Sequence, residues 1–384
     1  MSMAQRTELL VIGAGPYGLS VAANAQEHGI ETVVLGRPMD FWRTQMPAKM
    51  CLRSGPDWHL DAAGVHTLEA FLEERRNAPT ELDPIPLEVF VDYTDWFRVN
   101  KRLDVSERMV VELTKPNERF EAVLESGERI AARWVVAAPG IRHFATVPSW
   151  AAQVPRERAA HASELVHFDE LAGARVLIVG GRQSAYEWAA LIGEAGAKRI
   201  DIVHRHRVPR FERVSWKFAD AYVEETLRTR GWWRRLPQEE RDVLEAQFWE
   251  VGRLTLEWWL TPRLARAPLH QWPGTQVVDI VPGHGHTEVA LRLSNGERLT
   301  VDRIVFATGY KADITKVPYL HGMLDHIEMK EGFPVLDESF GTSVDGLYVT
   351  GFAATHDFGP VFGFVKGSAA SATIIVEDVM SRRR

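Results

Sequence analysis

Two stretches of the sequence share one plan, in which a buried strand runs into a glycine-rich turn and then into a helix. The first is ELLVIGAGPYGLSVAANAQEHGIETVVLGR, near the start of the chain, and the second is ARVLIVGGRQSAYEWAALIGEAGAKRIDIVHRHR, from residue 174. An apolar strand, a helix and a second strand form a βαβ unit, which builds a parallel sheet. The sequence therefore predicts an α/β fold with two Rossmann-like dinucleotide-binding domains.

A second internal repeat indicates how the two units follow each other along the chain. Gly127 and Gly296 each mark a hairpin turn, and after the same interval a strand ends at Gly140 in the first unit and at Gly309 in the second. The remaining residues are placed most economically if they return to complete the first unit. We therefore expect a first domain of residues 1–148 and 308–384, with a second domain of residues 149–307 inserted into it.

Residues 212–273 interrupt the alternation of strands and helices and are rich in tryptophan. Within them Leu244, Phe248, Val251 and Trp258 follow a roughly helical spacing, which predicts a helical excursion from the second domain. We expect its aromatic side chains to form a core of their own. A lid over an active site, or a contact between the subunits of a homo-oligomer, is the alternative.

The composition narrows the class of protein. The chain has 384 residues, 45% hydrophobic and 25% charged, with a formal net charge of −7. These values are typical of a soluble globular protein, and the negative charge argues against nucleic-acid binding. No apolar run reaches the length of a membrane-spanning helix, and the first strand begins too early to leave room for a signal peptide. The single cysteine, Cys51, excludes a redox-active cysteine pair within the chain and favours a cytoplasmic location.

The first glycine-rich turn, GAGPYG, carries the residues of a dinucleotide-binding fingerprint. Gly13 permits a tight turn, Gly15 lets the backbone approach a pyrophosphate, and Gly18 allows close packing of the helix on the sheet. The acidic residue that usually binds a ribose hydroxyl is missing, because Gly36 and Arg37 stand at the end of the second strand. The ribose contact stays open, and Arg37 is expected to flank the adenine or a phosphate.

The second turn, GGRQSA, departs from the fingerprint at one position. Gly180 and Ala185 fit the pattern, but Arg182 stands where the backbone normally approaches a pyrophosphate. At the end of the following strand Arg205 and Arg207 replace the carboxylate that selects NAD, and guanidinium groups suit a 2′-phosphate. The three arginines predict a site for NADPH. Two sites of different chemistry in turn predict two nucleotides, FAD in the first domain and NADPH exchanging at the second.

The order of the motifs GAGPYG, GGRQSAYE and DRIVFATGY resembles that of the class B flavin-dependent monooxygenases. This group includes flavin-containing monooxygenases, Baeyer–Villiger enzymes and N-hydroxylating monooxygenases. The N-hydroxylating branch is the most similar, through the residues Pro16, Gln183, Ser184, Thr308 and Gly309. The Phe-x-Gly-x-x-x-His hallmark of the flavin-containing monooxygenases is absent from the linker between the two units.

This resemblance implies an FAD-dependent NADPH monooxygenase. NADPH would reduce the flavin, O₂ would add to give a flavin C4a-hydroperoxide, and one oxygen atom would pass to a nitrogen or sulfur of a small-molecule substrate. The protein would contribute mainly by positioning the reactants and excluding water. No side chain is therefore assigned a catalytic role, and no metal site is expected.

Two loops are candidates for the reactive end of the flavin, because ligands bind where the strands of such folds end. One loop follows the second strand, and the other is TGFAATHDFGPVFGF. Trp42 and Gly351 are expected to contact the cofactor. The substrate-pocket candidates, taken from both loops, are Arg53, Trp58, His59, His356 and Phe358.

Three other functions are compatible with the residues. An FAD-dependent NADPH reductase or oxidase would share both nucleotide sites without inserting oxygen. A peroxide reductase with Cys51 as its reactive residue would share the layout, although such enzymes carry a further C-terminal domain. A non-catalytic, nucleotide-binding regulatory protein would explain Arg182 and the missing ribose carboxylate.

Overall fold

The computed structural model of the chain describes residues 5–75, 83–281 and 288–383. Its strands are β1 (Gln5–Ile12), β2 (Thr32–Leu35), β3 (Val105–Ser106), β4 (Val110–Thr114), β5 (Phe120–Leu124), β6 (Arg129–Ala137), β7 (Ala159–His161), β8 (Arg175–Val179), β9 (Arg199–His204), β10 (Arg210–Glu212), β11 (Thr255–Glu257), β12 (Leu269–Pro273), β13 (Val277–Val281), β14 (Val289–Leu293), β15 (Arg298–Val301), β16 (Arg303–Phe306), β17 (Met329–Lys330), β18 (Phe333–Pro334) and β19 (Leu347–Val349).

The α-helices are α1 (Pro16–Glu27), α2 (Asp40–Thr44), α3 (Leu68–Glu74), α4 (Leu87–Asn100), α5 (Gln183–Glu194), α6 (Phe218–Arg228), α7 (Trp232–Arg235), α8 (Gln238–Trp249), α9 (Leu260–Leu264), α10 (Thr355–Phe358) and α11 (Ser368–Arg383). Short 3₁₀ helices cover Arg142–Phe144, Ser149–Gln153, Arg156–Arg158, Ala162–Glu164, Asp169–Leu171, Ile314–Lys316, Pro318–His326, Gly351–Ala354, Pro360–Gly363 and Val365–Gly367, and Glu250–Leu254 form a π-helical turn. No helix within the described ranges combines the length and apolar character needed to cross a bilayer.

The first sheet is built around β1, which lies between β2 and β6 and is parallel to both. The strands follow the order β3–β2–β1–β6–β5–β4, with β5 antiparallel to both β4 and β6. Leu9, Leu10 and Val11 of β1 are fully buried, as expected for a parallel strand that is covered on both faces. The carboxyl end of β1 leads directly into the turn at Gly13.

The last strand, β19, joins this sheet after the second sheet has been completed. It pairs in parallel with Val135–Ala137 at the end of β6, so Gly351 reaches the same edge of the sheet as Gly13. Helix α11 then packs along α1, where the Asn24 side-chain amide donates to the Ala372 carbonyl at 3.1 Å. Segments far apart in the sequence therefore build the first sheet together.

The second sheet has the order β12–β9–β8–β16–β7, and all its neighbouring strands are parallel. Val176, Leu177 and Ile178 of β8 are fully buried in its centre. Strands β13, β14 and β15 form a separate antiparallel sheet, with Gly296 in the turn before β15. The predicted α/β fold with two Rossmann-like sheets is confirmed.

The excursion between β9 and β12 contains α6 to α9, and its expected helical course over residues 212–273 is corrected at two places. Thr255–Glu257 form β11, which is parallel to β10, and Leu269–Pro273 form β12, the edge strand of the second sheet. Helix α8 gives way to a π-helical turn that contains Gly252. Glycine weakens a helix, and the β-branched Thr255 that follows favours a strand.

The Trp-rich cluster of the excursion is present, but the expectation that its aromatic residues form a separate core is wrong. Trp216, Tyr222 and Phe248 pack in the core of the first sheet, whereas Trp259 packs in the core of the second. Phe364, from the segment after β19, lies 5.1 Å from Trp216 between ring centroids. Aromatic rings bury large areas, and here they attach the excursion to both sheets.

Candidate functional site

A cavity of about 370 Å³ opens at the carboxyl edge of the first sheet. The ends of β1, β2, β6 and β19, the start of α1 and the segment around Phe364 form its wall. The residues of this wall that the sequence singled out are Gly13, Gly15, Pro16, Gly18, Arg37, Trp42 and Gly351. These seven residues thus meet in one cavity, whereas Thr308 and Gly309, also expected to contact a cofactor, are not part of its wall.

The three glycines of the first turn have different surroundings. A Cβ on Gly13, whose φ is +113°, would lie 2.2 Å from the Ala138 carbonyl oxygen, and a Cβ on Gly18 would lie 1.8 Å from the Gly13 carbonyl oxygen. A Cβ on Gly15 would meet no described atom within 4 Å. Packing within the protein therefore requires Gly13 and Gly18, whereas Gly15 keeps the cavity open for a ligand.

The end of β2 carries no carboxylate, because the backbone at Gly36 requires a glycine. Its φ is +128°, and a Cβ there would lie 3.3 Å from the Ala14 amide nitrogen. A carboxylate reaches the cavity wall from another position, Asp40, which accepts a hydrogen bond from Arg142. The sequence does not reveal this pair, because Asp40 and Arg142 lie outside the fingerprint and meet only where the strand ends converge.

Two buried hydroxyl groups of the cavity wall have no hydrogen-bond partner among the described residues. They belong to Thr350, just before Gly351, and to Tyr319. Buried polar groups nearly always have a partner, so these two are available to a ligand. Together with the open space at Gly15, they fit a polar cofactor such as FAD.

The second glycine-rich turn repeats the geometry of the first. Gly180 has a φ of +128°, and a Cβ there would lie 2.3 Å from the Ala307 carbonyl oxygen. Arg182 precedes α5 with φ −111° and ψ −172°, close to the −84° and −173° of Gly15 before α1. Arg182 therefore adopts an extended conformation that any residue can take, and the turn tolerates it without strain.

The Arg182 guanidinium lies over the ring of Trp249, 4.0 Å from the ring centroid. Burial, and after it the charges of Arg253 and Arg205, lower the pKa of Arg182 to about 10. Like charges repel at this range. The second turn thus carries a cluster of cations beside an aromatic ring.

The two arginines after β9 differ in their partners. Arg207 donates to the Glu250 carboxylate at 2.8 Å, and the same carboxylate accepts from Arg210 at 2.9 Å. Arg205 is exposed and forms no ion pair with any residue that the structure describes. Arg205 is therefore the one of the two that can meet a phosphate without breaking an existing pair, a difference that sequence spacing cannot show.

Comparison with known proteins identifies the family that shares this arrangement. Residues 10–228, more than half of the chain, match the family described as "Pyridine nucleotide-disulphide oxidoreductase". The chain belongs to this family. Within it, the chain is a member of the class B flavin-dependent monooxygenases, a class of oxidoreductases whose known members use FAD and NADPH.

Three relatives illustrate the match. The probable indole-3-pyruvate monooxygenase YUCCA8 of Arabidopsis thaliana is 24% identical over an alignment of 409 positions, gaps included, which covers 97% of this chain and 88% of that protein. The FAD-dependent urate hydroxylase of Xanthomonas campestris pv. campestris is 29% identical over 223 residues, 53% of this chain, and the match spans 46% of that protein. The structure of the Kutzneria sp. 744 ornithine N-hydroxylase aligns with a TM-score of 0.82 over 99% of this chain and 100% of that one; at 16% identity this likeness shows the fold alone.

Gln183 and Ser184, two residues of the second fingerprint, follow each other on α5 but differ in exposure. The Gln183 side chain is buried, donating to Glu187 at 3.0 Å and accepting from the Glu257 amide at 3.2 Å, whereas Ser184 is exposed. Burial raises the pKa of Glu187 to about 7, against the attraction of Arg263 at 3.2 Å. Gln183 therefore belongs to an interior polar network, and only Ser184 is open to a ligand.

The residues at the end of β16 contact the segment that links the two sheets. The Thr308 hydroxyl donates to the Thr146 carbonyl, and the Gly309 carbonyl accepts from the Thr146 amide at 3.0 Å. Nε2 of His161 lies 3.2 Å from the same Gly309 oxygen. These contacts hold the linker against the second sheet, and the binding role expected for Thr308 and Gly309 stays a prediction.

Arg53, a substrate-pocket candidate, is engaged inside the protein and is not among the residues of the cavity wall. Its guanidinium donates to Glu257 at 2.9 Å and to the carbonyls of Gly252 and Thr255 at 2.6 and 2.8 Å. Only 17% of the Arg53 side chain and 4% of the Glu257 side chain are exposed. The structure thus uses Arg53 to attach the first unit to the helical excursion.

Neither Trp58 nor His59, two further substrate-pocket candidates, is a residue of the cavity wall. Trp58 is buried, and its ring centroid is 6.1 Å from that of Phe364, which lines the cavity. Nδ1 of His59 is buried without a partner in the described ranges, and burial lowers the pKa of this imidazole.

His356 and Phe358 lie on α10 with partners of their own. Nδ1 of His356 is 2.9 Å from the Asp357 carboxylate. Phe358 is buried and stacked on Phe340, with ring centroids 3.5 Å apart. A substrate role for these two residues stays a prediction.

The only cysteine of the sequence is poorly suited to redox catalysis. Burial raises the pKa of the Cys51 thiol to about 11, with a further contribution from Glu187. The thiolate is the reactive form, and Cys51 is protonated at neutral pH. No group of three or more His, Cys, Asp or Glu residues suited to a metal ion is found in the parts of the chain that are described.

Proposed function

We propose that this chain is a flavoprotein monooxygenase that uses NADPH to insert one oxygen atom of O₂ at a nitrogen or sulfur of a small-molecule substrate. The observation that carries the proposal is the pair of matching glycine-rich turns, one beside an open cavity and the other beside a cluster of arginines. The first suits a resident cofactor, and the second suits an exchanging, phosphorylated one. The motifs shared with the N-hydroxylating branch, around Pro16, Gln183 and Gly309, support the choice of a heteroatom.

The cavity of the first sheet is the proposed site of FAD. Gly15 leaves room for the diphosphate at the start of α1, where backbone amides and the helix dipole attract anions. Thr350 and Tyr319 would donate or accept hydrogen bonds, and Arg37 and Trp42 would contact the cofactor from the same wall. When bound, FAD accepts a hydride from NADPH and activates O₂.

NADPH is proposed to bind at the second turn. Arg205 would hold the 2′-phosphate through charge-assisted hydrogen bonds, and Arg207 would act indirectly, because Glu250 occupies its guanidinium. Residues 1–148 and 308–384 would then form the FAD domain, and residues 149–307 would form the NADPH domain. A cytoplasmic location and a homo-oligomer stay predictions from the sequence.

The residues behind the cavity would exclude water from the reacting centre. Phe352 and Phe364 line the cavity, and Trp58 and Trp216 pack behind Phe364. A site closed by such rings favours transfer of oxygen to a soft nucleophile over loss to water. Nδ1 of His59 is buried without a described partner, but His59 is not a residue of the cavity wall, so its contact with a substrate stays a prediction.

The test follows NADPH, oxygen and product together. The purified protein is titrated with NADPH without oxygen, and ¹⁸O₂ is then admitted with a panel of amines, sulfides and ketones. We expect a yellow protein that NADPH bleaches, and an amine or sulfide product that carries one ¹⁸O atom. Bleaching followed by hydrogen peroxide alone would identify an NADPH oxidase instead. A protein that binds no FAD would contradict every flavoenzyme function.

A further inference from the structure

Trp249 is exposed, although large aromatic residues are normally buried. It ends helix α8 with 45% of its surface exposed, whereas its neighbour Phe248 is only 5% exposed. Its ring faces the guanidinium of Arg182 at 4.0 Å, and Arg182 stands in the second turn where Gly15 stands in the first. The helical excursion thus carries an open aromatic face to the edge of the second nucleotide site.

The backbone around Trp249 holds it in this position. The next residue, Glu250, is bound by Arg207 and Arg210 at 2.8 and 2.9 Å, and both arginines follow the end of β9. The Glu250 carbonyl also accepts from the Thr255 hydroxyl at 3.1 Å. In a Rossmann-like sheet the end of this second strand is where the adenosine half of a dinucleotide lies. Trp249 is therefore attached to the adenosine side of the site.

Three arginines, Arg182 at this ring and two whose charges act on Arg182, have no acidic partner among the described residues. Arg182, Arg205 and Arg253 form no ion pair with a described residue, and burial together with the other two cations lowers the pKa of Arg182. By contrast, Arg263 on helix α9 binds two carboxylates, those of Glu187 and Glu194. Grouped cations without counter-charges are stabilised by an anionic ligand.

We propose that the excursion completes the second nucleotide site, with the Trp249 ring stacking on the adenine of NADPH and Arg182 and Arg253 binding its diphosphate. This inference rests on the proposed binding of NADPH by the second unit and assigns roles to two residues, Trp249 and Arg253, that lie outside the fingerprint. Stacking on an aromatic side chain is insensitive to the 2′-phosphate. Trp249 therefore strengthens binding, and Arg205 provides the selectivity for the phosphorylated form.

The experiment is calorimetric titration of the FAD-loaded protein with NADP⁺, adenosine 2′,5′-diphosphate and nicotinamide mononucleotide. Trp249→Ala should raise the Kd for NADP⁺ and for adenosine 2′,5′-diphosphate about tenfold, or about 1.4 kcal/mol, and leave the mononucleotide unchanged. Trp249→Phe retains a ring and should stay within about threefold of the wild type. An unchanged Kd for Trp249→Ala would overturn the inference.

Trp258→Ala is the matched control. Trp258 is also exposed in the excursion and also faces an arginine, at 5.2 Å, but that arginine is Arg213, which lies outside the second turn. This variant should bind NADP⁺ as the wild type does, and an equal loss in both tryptophan variants would overturn the assignment to Trp249. Arg253→Ala should weaken NADP⁺ and NAD⁺ by a similar factor, because both share the diphosphate; loss of NADP⁺ alone would contradict this role.

The same titration separates this inference from the proposed function. A wild-type protein that binds NADP⁺ with the expected response of Trp249→Ala, but makes no oxygenated product, would support the nucleotide site and contradict the monooxygenase. If the wild-type protein makes labelled product but Trp249→Ala binds NADP⁺ normally, the monooxygenase function is supported and the role of Trp249 is contradicted. A wild-type protein without affinity for NADP⁺ would overturn both.

Discussion

At the scale of single residues, the three glycines of the first turn are needed for two different reasons. Gly13 and Gly18 lack side chains because carbonyl oxygens of the protein approach them, whereas Gly15 lacks one although the protein leaves its surroundings empty. A glycine that no neighbour demands is explained by a ligand that approaches it. This difference allows cofactor binding and folding to be changed separately.

Gly15→Val should fold normally and lose FAD, because the backbone there has an ordinary φ of −84° and the added branch points into the cavity. The flavin absorbance of the purified protein, relative to its protein absorbance, measures the loss. Gly18→Ala is the control: its Cβ would collide with the Gly13 carbonyl, so thermal unfolding should reveal a destabilised protein. A Gly15→Val protein that keeps its flavin would show that the first site has been misread.

Arg205→Ala should weaken NADPH about 10- to 100-fold and leave NADH nearly unchanged, because a charge-assisted hydrogen bond contributes about 1.5–3 kcal/mol. Binding of both nucleotides is measured by titration of the flavin-loaded protein. Arg207→Ala serves for comparison, since Arg207 is already paired with Glu250, and it should affect the two nucleotides alike. Equal losses in Arg205→Ala would refute the 2′-phosphate contact.

At the scale of secondary-structure elements, helix α5 carries a carboxylate into the interior of the second unit. Glu187 is fully buried, and its neighbours are Gln183 on the same helix and Arg263 on α9. Burial outweighs the attraction of Arg263, so the pKa of Glu187 rises from 4.5 to about 7. The interior position of Glu187 therefore favours the protonated carboxyl group over the charged carboxylate.

A raised pKa gives the pH dependence a definite sign. Between about pH 4.5 and 7 the folded protein binds more protons at Glu187 than the unfolded chain does, so its stability falls as the pH rises through this interval. Glu187→Gln cannot ionise and should gain in free energy of unfolding relative to the wild type from pH 5 to pH 8, by up to about 3 kcal/mol. Urea unfolding at several pH values measures the difference.

Glu194→Gln is the control for this titration. Glu194 binds the same Arg263 at 2.7 Å, but 41% of its side chain is exposed. Its replacement should therefore change stability by less than about 1 kcal/mol at every pH. A pH-independent difference between Glu187→Gln and the wild type would contradict the raised pKa.

Local sequence patterns were sufficient to predict the strands, turns and helices that have a clear signal within their own residues. The apolar runs of β1 and β8, the glycine-rich turns and the helices after them were all expected and are all present. The prediction failed at β11 and β12, because each short strand exists only through pairing with a distant partner, β10 and β9. No local periodicity records such a pairing.

At the scale of the whole molecule, one arginine attaches the first unit to the excursion of the second. Arg53 and Glu257 are 204 residues apart in the sequence, yet they form a nearly buried ion pair with two further carbonyl contacts. Sequence analysis placed Arg53 in the substrate pocket, since an arginine in an aromatic loop gives no sign of its partner. The paired Asp40 and Arg142 and the unpartnered hydroxyls of Tyr319 and Thr350 were missed for the same reason.

Arg53→Ala should lower the free energy of unfolding by about 3–5 kcal/mol, because it leaves the Glu257 carboxylate buried and unpaired. Denaturant unfolding followed by tryptophan fluorescence measures this loss. Arg75→Ala, which breaks an ion pair with Asp92 whose two side chains are about half exposed, should cost no more than about 1 kcal/mol. Losses of equal size would show that the Arg53 pair has no special part in joining the units.

Because β19 comes late in the chain, the wall of the binding cavity is completed late during translation. Its first walls, at β1 and β2, leave the ribosome early, but Gly351 and Phe364 are added only after the entire second sheet has been synthesised. At ordinary elongation rates this interval lasts roughly a quarter of a minute to a minute. A nascent chain cannot close the cavity around a cofactor during that period, so flavin capture belongs to the end of biosynthesis, when the two distant segments first coexist.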